Sequence, residues 1–174
     1  MRVVGGEARG RRLQAPKGTT TRPTSDFVRE AVFNVLPGLV DLEGAAVADL
    51  FAGTGALGIE ALSRGAARAV FVESDRRALA VLRANLAATG YEGDATVIAG
   101  DVRKALVRVG TVDVAFADPP YAFDGWDEVF AGLDAGVLVV ESDRDIVPPA
   151  PWRVLTTKRY GSTVVTITSP RSPA

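Results

Sequence analysis

Between Ala45 and Glu141 the chain alternates short, almost wholly apolar runs with helical patterns, and this alternation leaves few folds open. Ala46–Phe51, Ala69–Val72, Thr96–Ala99, Val112–Ala117 and Val137–Glu141 read as strands. Helices fit between them: Ala56–Arg64 ended by Gly65, Asp75–Ala88 with Leu79, Leu82 and Leu86 on one side, a helical turn at Val102–Val107, and Trp126–Leu133. Strands that are apolar on both faces must be covered on both faces, which a parallel sheet with flanking helices achieves. The alternation then stops. Arg153–Lys158 and Thr163–Thr168 are β-rich runs joined by a turn at Tyr160–Gly161–Ser162, too close for a parallel crossover, so they form an antiparallel hairpin. The expected fold is α/β, with a mixed sheet that is parallel first and antiparallel at its end.

Ahead of this body, residues 2–4 and 11–15, separated by Gly5, Gly6 and Gly10, read as a short β-hairpin. A Thr/Pro-rich connector, Gly18 to Thr24, leads to a helix from about Asp26 to Leu36, capped by Thr24 or Ser25 and stopped by Pro37 and Gly38. Its apolar face carries Val28, Val32, Phe33 and Leu36. The expected division is an N-terminal basic hairpin and connector over 1–24 and a main domain over 25–174. Charge divides in the same way, with a net of +5 in residues 1–22 against −6 in the remainder. A basic arm on an acidic body suits a polyanionic partner, and equally describes a solvated strand with scattered charges.

The chain has neither Cys nor His. Disulfides, thiolate nucleophiles, zinc-thiolate sites and the commonest general base are thereby excluded, so chemistry must run on carboxylates, backbone groups or a cofactor. No metal site is expected. No apolar run is long enough to span a bilayer, and the charged N-terminus does not read as a secretory signal. Nothing marks an oligomer interface, so a monomer is expected.

The glycine-rich stretch Asp49-Leu-Phe-Ala-Gly53-Thr-Gly55-Ala-Leu-Gly58 lies between the first core strand and its helix. Its glycines allow a tight turn and a close approach of ligand to backbone, and the helix start offers free N–H groups. Gly53, Gly55 and Gly58 satisfy G-x-G-x-x-G, a pattern that is weak alone. Glu73 ends the second strand twenty residues after Gly53, where a carboxylate can accept ribose hydroxyls. The pair suits an adenosine-containing ligand. A carboxylate at Asp49, under the loop, would repel a pyrophosphate but suit the ammonium of a methionine moiety. The terminal hairpin also departs from an all-parallel dinucleotide fold. S-adenosylmethionine is therefore favoured over NAD. Asp101, after the third strand, is either an acceptor for an adenine amino group or a cap for the following helix.

Ala117-Asp118-Pro119-Pro120-Tyr121 leaves the fourth strand beside the glycine loop. An exocyclic amine conjugated to a base is a poor nucleophile because its lone pair is delocalised. A carboxylate and a carbonyl that accept its two N–H bonds orient the nitrogen and stabilise the positive charge that develops on it. Asp118 supplies the carboxylate and Pro119 the carbonyl, Pro120 is a second residue that cannot donate, and Tyr121 offers a stacking face. The motif also admits adenine N6 or a glutamine amide. An NAD-linked oxidoreductase and a non-catalytic RNA-binding module are the remaining alternatives.

Asp49–Gly58, Glu73, Gly100–Asp101 and Asp118–Tyr121 together resemble the motifs of class I methyltransferases. The N-terminal half is more specific: Val3-Val-Gly-Gly, Arg9-Gly-Arg-Arg-Leu13, Arg22-Pro-Thr24, Asp26, Val28-Arg-Glu30 and Phe33-Asn34 resemble RsmD-type 16S ribosomal RNA guanine-N2 methyltransferases. The resemblance covers nearly the whole chain. It implies a seven-stranded Rossmann-like sheet, an N-terminal hairpin that helps hold RNA, and a guanine of 16S RNA as substrate, presented in an assembling or assembled 30S subunit in the cytoplasm. The cofactor-binding candidates are Asp49, Phe51, Gly53, Gly55, Glu73, Ser74, Asp101, Val102 and Asp118. Those for RNA are Arg9, Arg11, Arg12, Arg22 and Tyr121. Phe27 stands where the family usually carries a basic residue, and Ser162 replaces a usual acid after Gly161. Arg29 and Glu30 read either as RNA contacts or as a structural ion pair.

Overall fold

The computed structural model describes residues 1–18 and 23–170. Seven strands form one sheet: β1 (Ala46–Asp49), β2 (Arg68–Glu73), β3 (Ala95–Ala99), β4 (Val112–Ala117), β5 (Ala135–Ser142), β6 (Arg153–Tyr160) and β7 (Thr163–Ser169). Their order is β3-β2-β1-β4-β5-β7-β6. β1 to β5 are mutually parallel, and β7 lies antiparallel to both β5 and β6. The order reverses between β1 and β4, the switch point at which the carboxyl ends of an open sheet leave a crevice.

Side chains alternate across the sheet and build two cores. Val47, Val114, Phe116 and Ile167 face one layer with α1 (Pro23–Val35), α2 (Ala56–Ser63) and α3 (Arg76–Thr89). Ala48, Ala115, Leu138 and Val140 face the other, with α4 (Val102–Val109) and α5 (Trp126–Gly132). The apolar runs are continuous because both faces are dry. Asp75 caps α3 by accepting from Ala78 N–H at 2.8 Å, and Gly90 ends it at φ +82°.

Boundaries differ from the expected ones where local chemistry outweighs pattern. α1 begins at Pro23, not Asp26, and already runs through positions 24 and 25, so neither opens it as a cap. Proline is well suited to a first helical position, where its missing N–H would be unbonded in any case. α1 ends at Val35, with Leu36–Gly38 closing as a 3-10 turn. β1 ends at Asp49, two residues early, because the chain turns there into the glycine loop. β5 is longer than expected, held on both edges by β4 and β7. The β6–β7 turn closes on Gly161 at φ +60°.

The N-terminal hairpin forms as expected: Arg2 pairs with Arg12, Val3 N–H donates to the Arg11 carbonyl, Gly10 N–H to the Val3 carbonyl and Leu13 N–H to the Met1 carbonyl. Other backbone groups of the segment bond to the body. Val4 and Gly5 N–H donate to the two oxygens of the Glu60 carboxylate at 2.9 and 2.8 Å. Ala8 N–H donates to Ser63 Oγ, and Gln14 exchanges two bonds with the Asn85 amide. Val3, Ala8 and Leu13 are buried in the α1–α2–α3 core. Gly6 permits the contact: at φ +78°, an added Cβ would fall 1.7 Å from the Ser63 carbonyl oxygen.

Arg29 is buried and lies 3.6 Å from Glu60 and 3.3 Å from Asp26, and donates to the Arg2 carbonyl. The ion pair is therefore real, but its partners are Glu60 and Asp26; Glu30 is exposed. Glu60 across the interface and Asp26 one turn back on α1 flank the guanidinium, and the Arg2 carbonyl accepts from it.

Candidate functional site

A cleft of about 660 Å³ opens at the carboxyl ends of β1, β2, β4 and β5. It brings together Phe51, Gly53, Glu73 and Ser74 from one side and Asp118, Pro119, Pro120 and Tyr121 from the other. The glycine loop and the Asp-Pro-Pro-Tyr turn, 60 residues apart in sequence, thus share one cavity. Parallel pairing of β1 with β4 places them there, since both loops leave neighbouring strands in the same direction.

The three glycines do different work. Gly53 sits at φ +56° with open space where a Cβ would point, so the loop presents bare backbone. Gly55, at φ +84°, is the N-cap of α2, and an added Cβ would lie 2.4 Å from Leu82. Gly58 lets α2 lie on β2, since a Cβ there would come 2.3 Å from the Phe71 ring. Only the first faces a ligand.

Glu73 organises the loop. One oxygen accepts from Gly53 N–H at 2.7 Å, and the other from Ser74 and Asp75 N–H at 2.9 and 2.8 Å. Three of roughly four lone-pair positions are thereby used, leaving one for a ribose hydroxyl. Asp49 is 1 % exposed; one oxygen accepts from Gly58 N–H at 3.1 Å and the other has no partner. Burial pushes its pKa up to about 7, opposed by the Gly58 bond and reinforced by Asp118 and Glu73. An orphaned buried carboxylate beneath the loop fits a cationic ligand group. Asp101 caps α4 by accepting from Arg103 N–H at 2.9 Å, and Val102 is buried in the core. Neither is among the described residues lining the cleft.

Asp118 opens onto the cleft, and desolvation by the cleft walls pushes its carboxyl up to about 6. Tyr121 is 39 % exposed, so its ring is available for stacking. The loop around it is pinned on both sides. Arg144 donates to the Tyr121 and Phe123 carbonyls, both at 3.0 Å. Phe123 meets Phe51 and Trp126 edge-on, at centroid distances of 4.9 and 5.1 Å.

Of the arm, Arg9, Arg11 and Arg12 are exposed on the surface and do not line the cleft, and Arg22 lies outside the described residues. Arg11 donates to the Ala88 carbonyl at 3.2 Å. Phe27 is 59 % exposed and packs edge-on against Tyr160, while Ser162 lines the cleft mouth.

Sequence reasoning missed Glu141 at the end of β5, a half-buried carboxylate of the cleft wall. The signal existed, because it is a carboxylate near the carboxyl end of its strand, as Asp49, Glu73 and Asp118 are near the ends of theirs. Arg144 carried no signal, being one charge in the exposed run 143–145. Acidic and polar groups line the cleft, and none of its described lining residues is basic. No group of His, Cys, Asp or Glu suited to a metal ion occurs among the described residues.

Comparison with known proteins agrees with this arrangement. The family model described as conserved hypothetical protein 95 matches residues 1–169. Ribosomal RNA small subunit methyltransferase D of Escherichia coli K12 is 46 % identical over 164 residues, covering 87 % of this chain and 81 % of its own. The solved structure of the Escherichia coli protein yhhF superposes with a TM-score of 0.84 at 35 % identity, covering 97 % of each chain. A hypothetical protein of Thermus thermophilus gives 0.78 at 32 % identity, covering 96 % of this chain and 98 % of its own.

Proposed function

Because the chain belongs to the RsmD-type methyltransferase family, we propose that it transfers a methyl group from S-adenosylmethionine to the exocyclic N2 of a guanine in 16S ribosomal RNA. The observation that carries this reading is the shared cleft, with the Gly53 loop and Glu73 on one wall and Asp118–Tyr121 on the other. Its charge fits the cofactor. S-adenosylmethionine carries a sulfonium and an ammonium against one carboxylate, and a cleft with acidic but no basic lining attracts it while repelling a pyrophosphate.

The residues divide the work. Bare backbone at Gly53 and the acceptor on Glu73 hold the adenosine moiety, with Ser74 beside it. When bound, the cofactor supplies a sulfonium methyl whose S–C bond breaks with the electron pair left on sulfur. Asp118 and the Pro119 carbonyl accept the two amino hydrogens and aim the nitrogen lone pair, which forms the new N–C bond. The proton then shed by nitrogen passes to the Asp118 carboxylate. Tyr121 stacks on the base, and Arg144 keeps the Tyr121 loop in place. Exposed Arg9, Arg11 and Arg12 contact phosphates. RNA within an assembling or assembled 30S subunit in the cytoplasm is the substrate, and the enzyme acts as a monomer.

The test is tritiated methyl transfer to undermethylated small subunits, naked 16S RNA and unmodified DNA, followed by nucleoside analysis. N2-methylguanosine from a ribosomal substrate is expected. Label in N6-methyladenine, or none in RNA, would overturn the substrate and leave the cofactor standing.

A further inference from the structure

We propose that Glu141 is the residue that selects guanine over adenine in this cleft, by accepting the ring N1–H beside the amino nitrogen that Asp118 holds. The inference rests on the guanine reading above.

Placement comes first. β4 and β5 are parallel neighbours with Ala117 opposite Val140, so the next residues, Asp118 and Glu141, emerge side by side at the carboxyl ends. Both line the cleft, together with Pro119 and Tyr121. The β7 residue opposite Glu141 is Val165, and the neighbouring rim residues Ser162 and Thr163 carry no charge.

The fold does not explain this carboxylate. No hydrogen bond reaches it from the described residues. Glu60, by contrast, holds two backbone amides and Arg64. A carboxylate withdrawn from water without such partners opposes folding and is retained where a ligand completes it.

The geometry of the bases supplies that ligand. Guanine presents N1–H directly beside its N2 amino group, two donors in a row along one edge. Adenine presents an N1 lone pair beside its N6 amino group, and a glutamine side chain has no ring donor at all. Two adjacent carboxylates therefore match guanine and set a negative charge against the adenine lone pair, a mismatch that leaves both groups unpaired.

Ionised Glu141 accepts N1–H most strongly and has no proton to offer the adenine lone pair. Burial pushes its pKa up to about 8, with Asp118 from β4 and Asp49 from β1 adding to the rise and Arg29 from α1 opposing it. Turnover of guanine and the preference over adenine therefore both fall as pH drops through this range.

The experiment compares wild type and Glu141→Gln on one small-subunit substrate with guanine, and then adenine, at the mapped target. Melting and S-adenosylmethionine affinity serve as controls. For Glu141→Gln, kcat/KM on guanine should drop about tenfold to a hundredfold on the alkaline side of this transition. The guanine-to-adenine preference should fall, and the loss of rate as pH drops through about 8 should disappear, with cofactor affinity unchanged. Glu141→Asp, which keeps the acid one methylene further back, should lose rate yet retain that pH dependence. If wild type makes N2-methylguanosine while both preference and pH profile survive in Glu141→Gln, the selection role is overturned alone. If wild type makes N6-methyladenine, the guanine reading fails and this inference with it.

Discussion

Asp118 must be ionised to orient an amine, and desolvation lifts it to about 6. Replacing it with Ala should lower methyl transfer at least about a hundredfold, with S-adenosylmethionine binding largely retained by calorimetry. Unchanged turnover would remove Asp118 from the chemistry. Asp49 bears on stability. Its folded pKa of about 7 lies above the ordinary value of 3.8. The protonated form is thus favoured in the native state, and the associated stability is complete below about pH 4 and lost as pH rises through 7. Asp49→Asn should therefore raise stability at about pH 8 by on the order of 2 kcal/mol, and by almost nothing at about pH 4. Urea denaturation at the two pH values measures this, and a gain as large under acid as under alkaline conditions would refute it.

At the scale of elements, α2 is the most heavily committed helix. Its N-terminus carries the glycine loop, and its far end holds the N-terminal segment through Glu60 and Ser63. Glu60 accepts from Val4, Gly5 and Arg64 and lies beside Arg29, so removing it strands a buried guanidinium and two amides. Glu60→Ala should destabilise by about 3–5 kcal/mol, read as a lowered denaturation midpoint. α3 ties the same parts together through Asn85, whose amide donates to both the Gln14 and Thr54 carbonyls. The glycine loop and the basic segment are thereby joined through one side chain. Gly6→Ala should undock that segment, because its φ of +78° and the Ser63 carbonyl leave no room for a Cβ. Faster amide exchange at Val3, Gly5 and Ala8 is the expected sign.

On the scale of the whole molecule, charge and packing separate within one short segment. Exposed Arg2, Arg9, Arg11 and Arg12 supply most of the positive charge of residues 1–22, while Val3, Ala8 and Leu13 are buried in the main core. Arg9→Ala with Arg12→Ala should weaken ribosomal RNA binding and reduce the slope of log affinity against log salt by about 2, with no change in melting temperature. A lowered melting temperature with an unchanged salt slope would make these arginines structural. Among the described residues no helix is long and apolar enough to cross a membrane.

The strands, the antiparallel end and the two motifs of the cleft are legible along the chain. Apolar runs of strand length between amphipathic helices, a hairpin too short for a crossover, and glycines flanked by carboxylates are local patterns, and local patterns are legible in one dimension. Helix and strand ends shifted by two or three residues where Pro23 and the glycine loop replaced periodicity as the deciding factor. Tertiary structure alone decided which polar groups meet. Arg29 could not be assigned to Glu60, nor the amides of Val4 and Gly5 to the same carboxylate, because those partners lie more than 25 residues apart and face each other only after α1 and α2 pack. Glu141 stood at the end of a strand like Asp49 and Asp118, but that it shares their cleft depends on strand order. Only the pairing of β5 beside β4 brings its carboxylate against that of Asp118.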